Sequence, residues 1–153
     1  MKKLTLVLLL TLTSFVSIFS NAQSLTSSAS AGKDVKTFCT MLDEISVDFD
    51  SGKLNMETFE SELQTRFLST ACDIDTSATL TYTDKEALKT SIGNLLFSIL
   101  KVGLRMNGMN YDELNEDQKK AIDEQLNLMK TEMAKKMDSY NTLDEVVNKG
   151  FDF

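Results

Sequence analysis

Not one of the 153 residues in this chain is proline, and apolar residues recur at three- and four-residue steps over most of its length. Proline breaks helices, whereas this spacing places apolar side chains along one face of a helix. The sequence therefore predicts an all-α fold. We expect a small bundle of four main helices, arranged as two helical hairpins, followed by a short C-terminal helix.

Capping residues and glycine stops predict where these helices begin and end. The first two helices are joined by only about three residues, which is typical of a hairpin. The predicted helices run from near Lys33 to Ser51-Gly52, from Asn55 to Ala71, from a Thr83–Glu86 capping box to Asn107-Gly108, from an Asn115–Gln118 cap onward, and from a Thr142–Glu145 capping box to Gly150.

The third predicted helix is the most apolar part of the chain after residue 22. Between Ile92 and Met106, nine of 15 residues are large and apolar, and they cover most faces of the helix. A membrane-active segment is the alternative, but Ser98, Lys101 and Arg105 interrupt the run. We therefore expect this helix to lie at the centre of the bundle.

The N-terminus has the pattern of a secretory signal peptide. Lys2 and Lys3 precede an apolar run from Leu4 to Phe19, and Ser20-Asn21-Ala22 supplies small residues for cleavage before Gln23. A membrane anchor is the competing interpretation, but this run of 16 residues is shorter than the roughly 20 that a spanning helix needs.

These features divide the chain into a signal peptide at 1–22, a flexible leader at 23–32 and one all-α domain at 33–153. The leader is predicted from its small, polar residues. We expect an exported protein, periplasmic or extracellular, with no stable membrane insertion after the signal is cleaved.

Charge limits the partners of the exported domain. Removing residues 1–22 takes away Lys2 and Lys3 but no acid, so 14 of the 16 Lys and Arg face all 23 Asp and Glu, a net charge of −9. Binding to nucleic acid draws on clustered cations. The charge argues against a nucleic-acid partner, and it leaves the oligomeric state open.

The two cysteines, Cys39 and Cys72, both follow the signal peptide. In an oxidising compartment such a pair predicts a disulfide, and two buried free thiols are the alternative. The chain contains no histidine, so a zinc site would need two carboxylates to complete its ligands.

The stretch DFDSGKLNMETF, from Asp48 to Phe59, resembles a helix-loop-helix calcium loop. Such a loop needs glycine at position 6 and a bidentate Glu at position 12. Placing Gly52 at position 6 puts Thr58 at position 12, and starting at Asp48 puts Phe59 there. We therefore predict no metal site, and keep Asp48 and Asp50 as the candidate ligands if a non-standard site exists.

The residue types also argue against catalysis. Without histidine the chain lacks the commonest general base and every Ser-His or Cys-His nucleophile. The six glycines are isolated, so no glycine-rich phosphate loop is present. We expect a protein that is not an enzyme and that has no cofactor.

Three methionines on one stripe of the fourth helix, Met129, Met133 and Met137, raise a binding hypothesis. Such a stripe usually fills a core, but methionine side chains also line adaptable binding faces. If the C-terminal segment that follows could lift away, the stripe would line an apolar groove.

One short stretch, Leu114-Asn115-Glu116-Asp117-Gln118, resembles the Leu-Thr-x-x-Gln signature of small helical periplasmic stress chaperones. Asn115 replaces the threonine of that signature, and the same five residues also encode an ordinary helix cap. The resemblance implies a chaperone-like holder as one alternative function, with no site residues carried over.

The sequence as a whole predicts an exported interaction module that is not catalytic and that binds a protein partner or an apolar ligand. The alternatives are a chaperone-like or inhibitor/immunity-type protein, and a degenerate calcium-binding helix-loop-helix module.

Overall fold

The computed structural model describes residues 31–54, 58, 61–62, 65–66, 69–70, 74–77 and 79–149, and these residues form an all-α fold. Within these ranges, extended pairing is limited to one isolated antiparallel bridge between Thr79 and Thr142. The helices are α1 (Ala31–Asp50), α2 (Tyr82–Met106), a 3-10 turn (Tyr111–Glu113), α3 (Glu116–Ser139) and α4 (Leu143–Lys149).

The predicted glycine stops are confirmed for α1 and α2. Gly52 and Gly108 have φ angles of 77° and 70°, in the left-handed region that favours glycine. The N–H of Gly108 donates to the carbonyl of Arg105 at 2.9 Å, and the N–H of Met109 donates to that of Leu104 at 3.0 Å. These bonds satisfy carbonyl groups that the end of α2 would otherwise leave unpaired.

The start of α2 corrects the sequence prediction. We expected Thr83 to cap this helix with Glu86 reaching back, but Thr81 is the cap and Asp84 is its partner. The buried Asp84 carboxylate accepts from the N–H of Thr81 at 2.9 Å and from its hydroxyl at 2.7 Å. Both segments fit the pattern, and the burial of Asp84 against the core favours the earlier one.

Helix α2 packs against both α1 and α3, which makes it the central helix. Near its C-terminus, Arg105 donates to the carbonyl of Phe49 at 2.6 Å, so the C-terminal ends of α1 and α2 meet. Near its N-terminus, Lys89 pairs with Asp138, close to the C-terminus of α3, at 2.7 Å. Thus α1 runs parallel to α2 and α3 runs antiparallel to it.

The core confirms the expected central role of this helix. Most of its buried apolar residues belong to one core with those of α1, α3 and α4. Among the residues that the structure describes, the largest side chains that are almost wholly buried are Phe38, Phe49, Leu42, Ile45, Leu88, Ile92, Leu95, Leu104 and Ile122.

Among the residues that the structure describes, α2 is also the one helix whose length and apolarity would suffice to cross a membrane. Its most apolar window is 67% buried inside the molecule. Burial of this kind is typical of a core helix, in agreement with the prediction from its sequence.

Several predictions concern residues outside the described ranges. They include the signal peptide at 1–22, nearly all of the leader at 23–32, Cys72 and the tail from Gly150 to Phe153. The described positions between 58 and 70 are all helical. Helix α1 begins at Ala31, two residues ahead of the expected start near Lys33.

Candidate functional site

The two candidate metal ligands, Asp48 and Asp50, are each paired with cations. Asp48 lies 2.7 Å from the guanidinium of Arg66 and 3.3 Å from the ammonium of Lys53. Asp50 lies 2.7 Å from the ammonium of Lys101. The hydrogen bond from Arg66 lowers the pKa of the Asp48 carboxyl, because it stabilises the charged form.

These ion pairs give the acidic loop a structural role. Arg66 and Lys53 supply the positive charge beside Asp48 that a bound cation would otherwise provide. Across the described part of the chain, no three acidic, histidine or cysteine side chains come together as a metal site would require. Gly52 ends α1 here, with its N–H donating to the carbonyl of Phe49 at 3.1 Å.

The methionine stripe of α3 lies inside the molecule. Met133 is 1% exposed, Met137 is 0% exposed, and Met129 is partly buried against the same core. Leu143, Val146 and Val147 of α4 belong to this core and are likewise buried. The structure therefore places the three methionines in or against one core, together with these apolar residues of α4.

Hydrogen bonds join α4 and the segment before it to the rest of the molecule. The N–H of Asp144 donates to the carbonyl of Thr76 at 2.6 Å, and the N–H of Leu80 donates to that of Asn141 at 2.9 Å. Glu145 accepts from the N–H of Asn141 at 2.6 Å, a bond that lowers the pKa of the Glu145 carboxyl. The segment before α4 is thus joined to the loop before α2.

Cys39 lies on the face of α1 that packs against α2. It is buried and carries a free thiol, and its side chain hydrogen-bonds with Ser91. Burial is the main cause that raises the pKa of this thiol to about 11. The structure does not show the expected bond to Cys72, which lies outside the described residues, so that disulfide stays a prediction.

The five residues that resemble the chaperone signature begin α3. The Asn115 side chain accepts from the N–H of Gln118 at 2.9 Å, and the Gln118 side chain accepts from the N–H of Asn115 at 3.1 Å. This reciprocal pair is a complete capping box. The resemblance therefore coincides with an ordinary helix start.

A feature that the sequence analysis missed is an open cleft beside the outer face of α1. Its volume is about 560 Å³, and on the side opposite α1 the described lining comes from Thr65, Arg66, Ser69 and Thr70. A second cleft of about 410 Å³ shares Thr40, Glu44 and Arg66 with the first. Together they extend along α1 from Lys33 to Asp48, and we call this surface the α1 cleft.

The described lining of the α1 cleft consists mainly of small hydroxyl side chains and charged groups. The hydroxyls of Thr37, Thr40 and Thr65 each donate to the carbonyl four residues earlier, at 3.0, 2.9 and 2.7 Å. Each of these oxygens can still accept a further hydrogen bond, while Lys33 and Lys36 supply ammonium donors to the lining.

The signal that could have revealed this surface is the polar face of α1. The sequence shows that this face is polar, but it does not say what lies opposite it. Comparisons with protein-family models, curated proteins and solved structures find no match to this chain.

Proposed function

We propose that this protein is an exported interaction module, without catalytic activity, that binds a protein partner along the α1 cleft. The single observation that carries the proposal is the length of that cleft. From Lys33 to Asp48 it follows α1 for roughly 22 Å, at about 1.5 Å per residue. A surface of that length suits a polypeptide segment better than a small molecule. Small molecules bind more often in sites that are compact, enclosed and apolar.

The character of the lining supports the same conclusion. Threonine acceptors and lysine donors match the N–H and C=O groups of a polypeptide, which must be satisfied when they leave water. The hydroxyl side chains are short, so a partner backbone can approach α1 closely. The apolar-ligand alternative has less support, because Met133 and Met137 are buried in the core.

The proposal is tested by co-purification from cells that produce and export the full chain. Thr40→Arg places a long cationic side chain in the middle of the cleft, at an exposed helical position where the fold tolerates it. Gln125→Arg makes a similar change on the exposed surface of α3 and serves as the control.

We expect the wild-type protein and Gln125→Arg to retain the same partner, and Thr40→Arg to lose it. Retention of one set of proteins by all three forms would contradict the proposal, as would capture by the wild type of neither another protein nor an untagged second copy of this chain. Circular dichroism of each form verifies that the helices are intact.

The export proposal has a separate test, because export would place Cys39 and Cys72 in an oxidising compartment. Intact mass before and after reduction and alkylation shows whether they pair. Alkylation of both cysteines without prior reduction would rule out the disulfide. The same mass also reports whether cleavage occurs before Gln23.

A further inference from the structure

The outer face of α1 carries an ordered charge pattern that the α1 cleft alone does not explain. Lys33 and Lys36 lie in its N-terminal half, Asp43 and Glu44 lie in its C-terminal half, and Thr40 lies between them. All five side chains are exposed. The sign of the charge therefore reverses about Thr40 along one continuous stripe.

These four charges lie apart from the ion pairs formed among the described residues. In the described part of the chain, none of them takes part in an ion pair, whereas Asp48, nearby on α1, is paired. The helix dipole favours acids near the N-terminus and cations near the C-terminus. Lys33 in the first turn opposes that preference, and the last turn has no basic residue. Asp34 is the acidic residue of the first turn, but it is buried and lies off this stripe. The charge pattern of the outer face is therefore not one that the dipole of α1 favours.

A second copy of α1 in the antiparallel direction has the matching pattern. A two-fold axis through Thr40 places Lys36 of one copy opposite Glu44 of the other, because both lie four residues from the axis. The symmetry repeats this pair, so two identical pairs form at about 6 Å to either side of the axis along the helix. A parallel arrangement would instead place like charges together.

The shape of the face permits a close approach between the two helices. Thr37 and Thr40 are short, and the cleft beside them is open. Packed helices lie about 8–10 Å apart, with the shortest distances at small side chains. Val47, which is 63% exposed, and the methyl groups of the threonines supply apolar contact, while the charges set direction and register.

We propose that the outer face of α1 pairs with the same face of a second copy, forming an antiparallel homodimer with Lys36–Glu44 ion pairs about a two-fold axis at Thr40. This inference rests on the proposed function, since it names the occupant of the α1 cleft. A different protein on the same surface is the other outcome of the test.

Charge reversal tests the direction and the register of this dimer. Lys36→Glu and Glu44→Lys each turn both attractive pairs into repulsive ones. In an equal mixture of these two variants, however, heterodimers can form, and in each heterodimer residue 36 of one copy again lies opposite an unlike charge at residue 44 of the other. The double variant Lys36→Glu/Glu44→Lys also restores both pairs, with their direction exchanged.

Sedimentation equilibrium of the full exported chain, at a series of concentrations, measures the association. We expect a dimer for the wild type, about tenfold weaker association for each single variant, and recovery both in the mixture and in the double variant. Lys120→Glu, an exposed charge reversal on α3, should associate as the wild type does.

Two results would overturn the homodimer. One is a wild-type protein that stays monomeric at every concentration, and the other is a mixture of the single variants that associates no better than either variant alone. If the protein is monomeric while Thr40→Arg still abolishes capture of another protein, the homodimer is wrong and the proposed function stands. If the protein is monomeric and Thr40→Arg also leaves the capture of another protein unchanged, both the homodimer and the proposed function are wrong.

Discussion

At the scale of single residues, Arg105 shows how one side chain joins two helices. Its guanidinium donates to the carbonyls of Phe49 and Asp50 at 2.6 and 3.3 Å, at the C-terminus of α1. The last carbonyls of a helix have no partner within it and carry its negative partial charge. A cation on the neighbouring helix therefore completes the end of α1.

Replacing this residue tests that role. We expect Arg105→Ala to lower the free energy of unfolding by about 1 kcal/mol, because two carbonyls return to water and the joint between α1 and α2 is lost. Urea unfolding measures the change. Lys120→Ala removes an exposed cation of α3 and should change the free energy by less than about 0.5 kcal/mol; equal losses would contradict the capping role.

Cys39 links the stability of the fold to pH. Below the ordinary thiol pKa of 9.0, the Cys39 thiol is protonated in both the folded and unfolded states. Between 9.0 and about 11 the unfolded state loses this proton while the folded state keeps it. The unfolded state then binds fewer protons, so the contribution of Cys39 to stability decreases as the pH rises through this window.

The comparison is between the wild type and Cys39→Ala, unfolded with urea in the presence of reductant at pH values below and inside that window. We expect the wild type to lose more stability than the variant as the pH rises, because titrations at other sites occur in both proteins. Identical dependence on pH would show that Cys39 ionises as freely in the folded state as in the unfolded one.

At the scale of secondary-structure elements, caps and stops predicted most of the described helix ends. The sequence placed the ends of α1 and α2 at the two glycines, and it placed the start of α3 at Asn115. It failed at the start of α2, because two overlapping segments satisfy the same local pattern. Only tertiary burial, which places Asp84 inside the fold, distinguishes between them.

Two glycines give opposite predictions for the same substitution. Gly108 has a φ of 70° and open space around it, so Gly108→Ala should cost about 1–2 kcal/mol through backbone strain alone. Gly93 lies within α2, where the atoms nearest to an added Cβ belong to the flexible side chain of Lys130, the closest at 3.3 Å. Gly93→Ala should therefore be neutral or stabilise by up to about 1 kcal/mol.

Thermal and urea unfolding of the two glycine variants check this pair. A loss of stability in Gly93→Ala as large as that in Gly108→Ala would contradict the conformations assigned to them.

The methionine stripe can be tested with two methionines that differ in exposure. Met133 is 1% exposed and Met106 is 59% exposed. We expect Met133→Ala to cost about 2–5 kcal/mol, because it leaves a cavity in the core, and Met106→Ala to cost less than about 0.5 kcal/mol. A small cost at Met133, measured by urea unfolding, would indicate an open groove instead of a closed core.

At the scale of the whole molecule, periodicity predicted the all-α class and the central position of α2. Periodicity could not predict the α1 cleft, because a polar helix face looks the same in sequence whether it borders open solvent or a concave surface. It also could not predict that Asp48 and Asp50 pair with Arg66 and Lys101, since those partners lie 18 and 51 residues further along the chain.

The central claim is that the outer face of α1 contacts another polypeptide. Its most direct test is a photo-crosslinking amino acid placed at Thr40 in the full chain and activated in cells that export the protein, with the same amino acid at Gln125 as control. We predict a discrete adduct from Thr40 alone, at twice the mass of the chain if the homodimer forms and at another mass if a different protein docks there. No adduct from Thr40, or the same adducts from both positions, would contradict the claim.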